Sequence, residues 1–117
     1  AHYLLGVAYS RTNDWRSAHD EFVTAVEMDP NEPSGWQMCG EALLALHQLD
    51  EAEQYLRKTL ELNPQCTDAV ADFGLLYLRR GDLPRAREFF ERALFLEPRN
   101  ERALRGSHEL RMADQSS

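Results

Sequence analysis

The chain has 117 residues, of which 43% are hydrophobic and 28% are charged, as is typical of one globular domain. Six glycines and five prolines are too few for a turn-rich β protein or a disordered chain. The net charge of −7 disfavours a general nucleic-acid binder, which usually carries the opposite sign. No apolar run approaches the ~18 residues that a membrane-spanning helix needs.

Apolar residues at helical spacing predict seven helices along the chain. The helices cover residues 1–12, 15–29, 34–46, 49–62, 67–80, 83–96 and 101–113. Gly81 suits the left-handed residue that ends a helix, and Asp82 can cap the next one. His47 occupies the corresponding place in the preceding helix pair, so we expect it to end a helix as well. Because the loops are short, successive helices should pack antiparallel.

A period of 34 residues relates these helix pairs. Three residue types recur at this period without insertion: Gly6, Gly40 and Gly74; Ala18, Ala52 and Ala86; Pro30, Pro64 and Pro98. Glycine inside a helix costs ~1 kcal/mol relative to alanine, so its recurrence indicates close approach of the facing helix. We therefore expect Gly40 to lie opposite Ala52, and Gly74 opposite Ala86. Each proline stops the second helix of its pair.

The unit resembles the tetratricopeptide repeat, whose pattern is W-x2-L-G-x2-Y, then A-x3-F, then P. The second unit carries this pattern as Trp36, Cys39, Gly40, Leu43, Ala52, Leu56 and Pro64. The resemblance covers residues 1–100, and its departures are conservative. It implies an all-α fold, a right-handed superhelical solenoid of about three helix-turn-helix repeats with a C-terminal capping helix.

The resemblance divides a single domain, residues 1–113, into its parts. The repeats are 1–32, 33–66 and 67–100, the capping helix is 101–113, and we expect 114–117 to be a disordered tail. In the capping helix, His108 stands in the column of the glycines, and the helix would cover the last apolar face. The chain starts inside an apolar pattern without an initiator methionine, which indicates a piece of a longer protein.

The residues that usually carry chemistry form no catalytic pattern. The four histidines, of which His19 is expected to be a solvated helix residue, lack metal-ligand spacing and an H-E-x-x-H motif. No serine stands in a G-x-S-x-G setting, and no glycine-rich phosphate loop is present. We therefore expect no enzymatic activity, no cofactor and no metal.

Two cysteines, Cys39 and Cys66, lie 27 residues apart and form no C-x-x-C motif. The simplest interpretation is one small buried thiol and one thiol in a turn. A disulfide or a metal role is the alternative.

Arginines concentrate in the C-terminal third of the chain. They are Arg79, Arg80, Arg85, Arg87, Arg92, Arg99, Arg102, Arg105 and Arg111. Several have an acidic neighbour at helical spacing, such as Glu91 for Arg87, which predicts a solvated face of ion pairs. A site for an anionic partner is the alternative, whereas nucleic-acid binding and membrane insertion are not expected.

The resemblance also implies that the first helix of each pair lines a concave groove that binds partners. The candidates for its lining are Tyr3, Leu4, Val7, Arg11, Ser34, Gln37, Met38, Glu41, Leu44, Asp68, Ala71, Asp72, Leu75 and Arg79. A lining of acidic and apolar residues suits a basic or amphipathic peptide. Alternatively, the apolar residues pack against neighbouring repeats or a second copy of the chain.

Chaperone-binding relatives hold a terminal carboxylate with lysines, an arginine and asparagines in this groove. The corresponding positions here are Tyr3, Val7, Met38, Asp68 and Asp72. A shift of one repeat gives Gln37, Glu41, Asp72, Arg102 and Gly106 instead. Neither alignment retains the full set of lysines, arginine and asparagines that holds the carboxylate. Binding of an acidic chaperone tail is therefore disfavoured.

The resulting hypothesis is a non-enzymatic adaptor or scaffold that binds a peptide or protein segment. Two alternatives stay open. One is a structural segment that stacks on further repeats or self-associates. The other is a small bacterial export or pilus-assembly chaperone, which rests on size and fold alone.

Overall fold

The structure, a computed structural model, describes residues 14–116. Within that range it contains six α-helices and no strand. They are α1 (Trp15–Met28), α2 (Pro33–Ala45), α3 (Leu49–Leu62), α4 (Thr67–Arg80), α5 (Leu83–Leu96) and α6 (Glu101–Ser116). The bounds of α3, α4 and α5 agree with the sequence prediction, and those of α1 and α2 differ by one residue. The helix predicted at 1–12 lies outside the described residues.

The chain divides into two compact units, which we call the N-terminal unit (Ala1–Pro64) and the C-terminal unit (Gln65–Ser117). In the N-terminal unit, α2 packs against both α1 and α3. Its core contains Ala18, Phe22, Val26, Cys39 and Ala42, all buried. Because two helices cover α2, seven of its 13 residues are buried.

In the C-terminal unit, α4 packs on α5, and α6 packs against both of them. Eight of the 14 residues of α4 are buried as a result. Phe90 of α5, which is 1% exposed, lies at the centre of this arrangement. Among residues 14–116, no helix is long and apolar enough to cross a membrane.

The glycines of α2 and α4 make the close approach that the repeat predicted, and the atoms nearest to them belong to large apolar side chains. A Cβ atom on Gly40 would lie 2.7 Å from Leu56 Cδ2 and 3.5 Å from the carbonyl oxygen of Ala52. At Gly74, the three nearest atoms all belong to Phe90, at 2.7 to 2.9 Å, and not to Ala86. The large apolar residue four positions after the alanine fills the space over the glycine.

Gly106 of α6 makes a similar approach that the sequence analysis missed. A Cβ atom there would overlap Cε1 and Cζ of Phe90. The repeat register placed His108 in the glycine column, whereas the helix presents a glycine two residues earlier. Phe90 is therefore enclosed by a glycine of α4 and a glycine of α6.

The last helix extends to Ser116, so the prediction of a helix end at 113 is wrong, and residues 114–116 are helical rather than part of a disordered tail. No glycine or proline interrupts residues 107–116. Arg87 Nη2 of α5 lies 3.4 Å from Asp114 Oδ2, which ties this end of α6 to the unit. Arg87 thus pairs with Asp114 rather than with Glu91, the partner expected from helical spacing.

The turns inside the two helical hairpins have the predicted left-handed residues. Gly81 (φ 81°) and His47 (φ 60°) are the residues with positive φ in the described part of the chain. The Asp82 side chain accepts a hydrogen bond from the Arg85 N–H at 3.3 Å and so caps α5, as expected. The same turn is therefore built once with glycine and once with histidine.

Replacing His47 by glycine should stabilise the protein by up to about 1 kcal/mol, because left-handed backbone costs a non-glycine residue roughly 1–2 kcal/mol. The reverse change, Gly81→Ala, should destabilise it by about 1 kcal/mol. No atom lies within 4 Å of a Cβ placed on Gly81, so this variant tests backbone strain alone. Urea unfolding measures both changes. Shifts of equal sign in the two variants would contradict the prediction.

Candidate functional site

Helix α2 carries the predicted groove residues of the N-terminal unit that the structure describes. Met38 and Glu41 are half-buried there, and Ser34 is exposed. Gln37 is 5% exposed and Leu44 is 4% exposed, so the prediction that these two residues are accessible is wrong. Helix α2 packs against both α1 and α3. The remaining candidates of this unit, Tyr3, Leu4, Val7 and Arg11, lie outside the described residues.

On α4 of the C-terminal unit, only part of the predicted lining is accessible. Asp68 and Arg79 are exposed, and Leu75 is half-buried. Asp72 is 3% exposed and Ala71 is 1% exposed, so these two residues do not form an open surface. The structure therefore leaves Asp68 and Arg79 exposed and Leu75 half-buried, whereas Met38 packs against the core of the N-terminal unit and Glu41 Oε2 is buried.

Three polar contacts join α4 to α6 and its N-terminal cap. Arg102 Nη1 donates to Asp72 Oδ2 at 3.3 Å, and Asn100 Nδ2 donates to Asp68 Oδ1 at 3.0 Å. Arg79 Nη1 donates to Glu109 Oε2 at 3.1 Å. The sequence analysis missed these pairs. The available signal was their separation of 30 to 32 residues, close to one repeat.

These contacts change the electrostatic character of the α4 face. The guanidinium of Arg102 balances the buried Asp72 carboxylate, since burying an unpaired charge is costly. Asn100 Oδ1 also accepts from the Ala103 N–H at 2.9 Å, so the same side chain caps α6 and binds Asp68. The α4 face is therefore not the acidic surface that the sequence predicted.

A cluster of partly buried rings covers one side of the N-terminal unit. The rings of His19 and Tyr55 meet edge to face at 5.9 Å, and Trp36 lies 5.6 Å from Tyr55. Lys58 Nζ is 5.9 Å from the centre of the Trp36 ring. Burial lowers the pKa of His19, although the nearby charges of Asp20 and Glu51 oppose this shift. The expectation that His19 is a solvated residue is therefore wrong.

Both cysteines are free thiols in the structure. Cys39 is buried in the core, and burial raises its pKa to about 12. Cys66 precedes α4 and is partly buried, which also raises its pKa. A thiol with a raised pKa is a poor nucleophile near neutral pH. In residues 14–116, no group of three or more histidine, cysteine or acidic side chains is arranged to hold a metal ion.

Comparison with known proteins identifies the family to which this chain is related. Two models described as tetratricopeptide repeat match residues 3–65 and residues 43–106. BBSome complex member BBS4 of Bos taurus is 29% identical over 100 residues, which cover 86% of this chain and 19% of that protein. The chain thus spans about a fifth of the length of this curated relative.

Solved structures show the same fold. The first TPR of Spaghetti (RPAP3), bound to the HSP90 peptide SRMEEVD, superposes with a TM-score of 0.84 at 26% identity, covering 98% of this chain and 89% of that one. TTC0263, a thermophilic TPR protein of Thermus thermophilus, gives a TM-score of 0.87 at 22% identity, covering 96% and 63%. The 34-residue period, the helical hairpins and both family matches agree: the chain belongs to the tetratricopeptide repeat family.

Proposed function

We propose that the protein is a non-catalytic interaction module that binds a peptide segment through the partly buried residues Met38 and Glu41 of α2. The observation that carries this proposal is the combination of a half-buried methionine, Met38, with the carboxylate of Glu41 on the first helix of a repeat. An apolar contact and a charge one helical turn apart are the elements of peptide recognition. The similar Spaghetti domain, which was solved with a bound peptide, supports this type of activity.

The charge of the N-terminal unit indicates the kind of partner. Residues 1–64 carry 4 basic and 11 acidic side chains, a net charge of −7, whereas residues 65–117 carry 9 of each. A basic or amphipathic peptide complements this unit, and complementary charge raises the rate of association and selects partners. On α4, Asp68, Leu75 and Arg79 form a second candidate patch, but its unit has no net charge to favour one sign of partner.

The test is selection of peptides from a random 12-residue display library against the full chain, followed by titration of the best peptide. Selected peptides should combine lysine or arginine with leucine or phenylalanine. The variant Met38→Ala/Glu41→Gln should bind the selected peptide about fivefold more weakly or worse, because truncating a central contact costs on the order of 1 kcal/mol or more. Glutamine keeps the shape of Glu41 and removes only its charge.

A matched control is Met28→Ala/Glu27→Gln, which removes the same two side-chain types from the end of α1, where both residues are exposed. It should bind like the parent. Equal binding by the Met38→Ala/Glu41→Gln variant and the parent would contradict the assignment of the site to α2. The peptide SRMEEVD provides a second comparison: its free acid and its C-terminal amide should bind alike. A micromolar affinity that amidation abolishes would show a carboxylate clamp instead.

Assembly with further repeats is the second candidate function. Its support is the outer side of α6, where Leu104 is 47% exposed and Met112 is 55% exposed. Leu104 stands in the column of Trp36 and Val70, which are packing positions in their own repeats. Sedimentation of the full chain separates the two functions, since a monodisperse monomer at high concentration would exclude self-association.

A further inference from the structure

The outer side of α6 carries a row of large exposed side chains. Leu104 is 47% exposed, Met112 is 55% exposed, and His108 between them is exposed as well. Arg105 and Arg111 are exposed beside this row, and we call the five residues together the α6 ridge. We propose that the α6 ridge binds an amphipathic helix of a partner protein, one whose apolar stripe is bordered by glutamate or aspartate.

Helix geometry makes these five residues one continuous surface. Leu104, His108 and Met112 are spaced by four residues, so they form a row about 12 Å long on one side of the helix. A rotation of about 100° per residue places Arg105 on one side of this row and Arg111 on the other. Rows of side chains at a spacing of four residues pack into the grooves of a second helix. The shape of the α6 ridge therefore favours a helical partner.

The inner side of α6 anchors the helix on the C-terminal unit. Ala103 and Leu110 are buried, and Leu110 belongs to the core cluster of Phe90. Gly106 is buried directly against the Phe90 ring. Because the helix is held by this side, the α6 ridge is already formed before a partner arrives, which lowers the entropic cost of binding.

Ion pairs with the rest of the unit use the acidic side chains of α6 after its first turn. Glu109 Oε2 lies 3.1 Å from Arg79 Nη1, and Asp114 Oδ2 lies 3.4 Å from Arg87 Nη2. The remaining acid of the helix is Glu101 in the first turn, where the helix dipole favours a negative charge. The carboxylates that could neutralise the α6 ridge are therefore mostly held against α4 and α5.

Arg105 and Arg111 are the open cations of this surface. Neither forms an ion pair with another residue in the range 14–116. With Glu101, the two arginines give the outer side of α6 a charge of +1. A guanidinium binds a carboxylate through paired N–H donors. Acidic residues on both borders of a partner's apolar stripe would therefore meet one arginine each, and complementary charge selects such a partner.

The preceding repeat shows that the α6 ridge differs from a surface that receives a second repeat helix. One repeat earlier, the position of His108 holds Gly74. A Cβ atom on Gly74 would lie 2.7 Å from the Phe90 ring of α5, so α5 lies very close to α4 at this point. The imidazole of His108 keeps a partner helix further from α6 than α5 is from α4. The occupant is therefore a helix with a different packing from that of the repeats.

This proposal rests on the second candidate function for the use of α6 in assembly, and it names another occupant. An anionic membrane is a further ligand that arginines beside apolar residues suit. The net charge of −7 opposes the approach of the whole chain to such a membrane. At physiological salt, charges beyond about 8 Å are largely screened, so a single partner helix experiences mainly the local arginines.

The experiment titrates the full chain with three fluorescein-labelled helical peptides of about 18 residues. All three carry the same leucine stripe, and the positions beside the stripe hold glutamate, glutamine or lysine. At about 0.15 M salt the glutamate peptide should bind about three- to tenfold tighter than the glutamine peptide, as expected for two exposed charge pairs. The lysine peptide should bind most weakly. Higher salt should reduce the advantage of the glutamate peptide, because salt screens exposed charges.

Variants of the chain separate charge from apolar contact. Arg105→Gln/Arg111→Gln should bind the glutamate peptide no better than the glutamine peptide. Arg92→Gln/Arg99→Gln removes the same charge from two exposed positions outside α6 and should bind like the parent. Leu104→Ser should weaken the glutamate and glutamine peptides alike, by about three- to tenfold, since it removes apolar contact and leaves the charges. A thermal melt verifies that each variant is folded.

Three results would overturn the proposal. They are equal affinity for the three peptides, equal losses in the two double variants, and transfer of the parent to sedimenting vesicles of equal parts phosphatidylserine and phosphatidylcholine. Sedimentation velocity without peptide tests the second candidate function separately. Self-association that Leu104→Ser abolishes, without binding of the glutamate peptide, would support assembly between copies of the chain and contradict the partner helix.

Discussion

Phe90→Ala should lower the free energy of unfolding by about 3–5 kcal/mol, the range measured for large cavities in protein cores. The ring is 1% exposed and touches the helix on each side through a glycine, Gly74 of α4 and Gly106 of α6. Neither glycine has a side chain that could move into the space the ring leaves. The cavity should therefore collapse little, which places the loss in the upper part of this range.

Urea unfolding followed by far-UV circular dichroism measures this loss. Tryptophan fluorescence is less suitable, because Trp15 and Trp36 both belong to the N-terminal unit. Phe95→Ala is the matched control: it removes the same side chain from the same helix at a position that is 86% exposed. We expect its effect to stay within about 0.5 kcal/mol. Similar losses in the two variants would show that Phe90 has no special place in the packing.

The helical repeat could be predicted from the sequence because glycine, alanine and proline each recur at a constant period of 34 residues. The helix α4 begins where the apolar pattern resumes and ends before Gly81, as Leu49–Leu62 ends before Pro64. Such signals act within a few residues of the chain, so the helix ends can be predicted from them without knowledge of the tertiary packing. The extent of α6 was harder to predict, since the ion pair between Arg87 and Asp114 contributes to its last turn.

The surface was harder to predict than the fold because accessibility depends on which neighbours a helix has. Asp72 was expected to be exposed because the family resemblance implies that the first helix of each repeat lines a groove. The structure buries it and provides Arg102 from α6 as its ion-pair partner. That pairing requires α6 to lie beside α4, which a helical pattern does not specify. Gln37 on α2 is likewise buried, although the sequence placed it in the groove lining.

The second large effect is expected at Gly106, where a side chain would enter the space of the Phe90 ring. Gly106→Val should destabilise the protein by about 1–3 kcal/mol through overpacking, even though valine is the better helix former. The neighbouring change Arg105→Val, at an exposed position of α6, shows the effect of valine on the helix without the contact. It should change the free energy of unfolding by less than about 0.5 kcal/mol.

A double-mutant cycle decides whether Phe90 causes the loss. In a Phe90→Leu background the shorter side chain leaves room near Gly106, so Gly106→Val should cost at least about 1 kcal/mol less than it does in the parent. Arg105→Val should cost the same in both backgrounds. If Gly106→Val were equally destabilising with phenylalanine and with leucine at position 90, the glycine would be required by the backbone rather than by the ring. The close packing of α6 on Phe90 would then not be the reason that this helix carries a glycine two residues ahead of the repeat register.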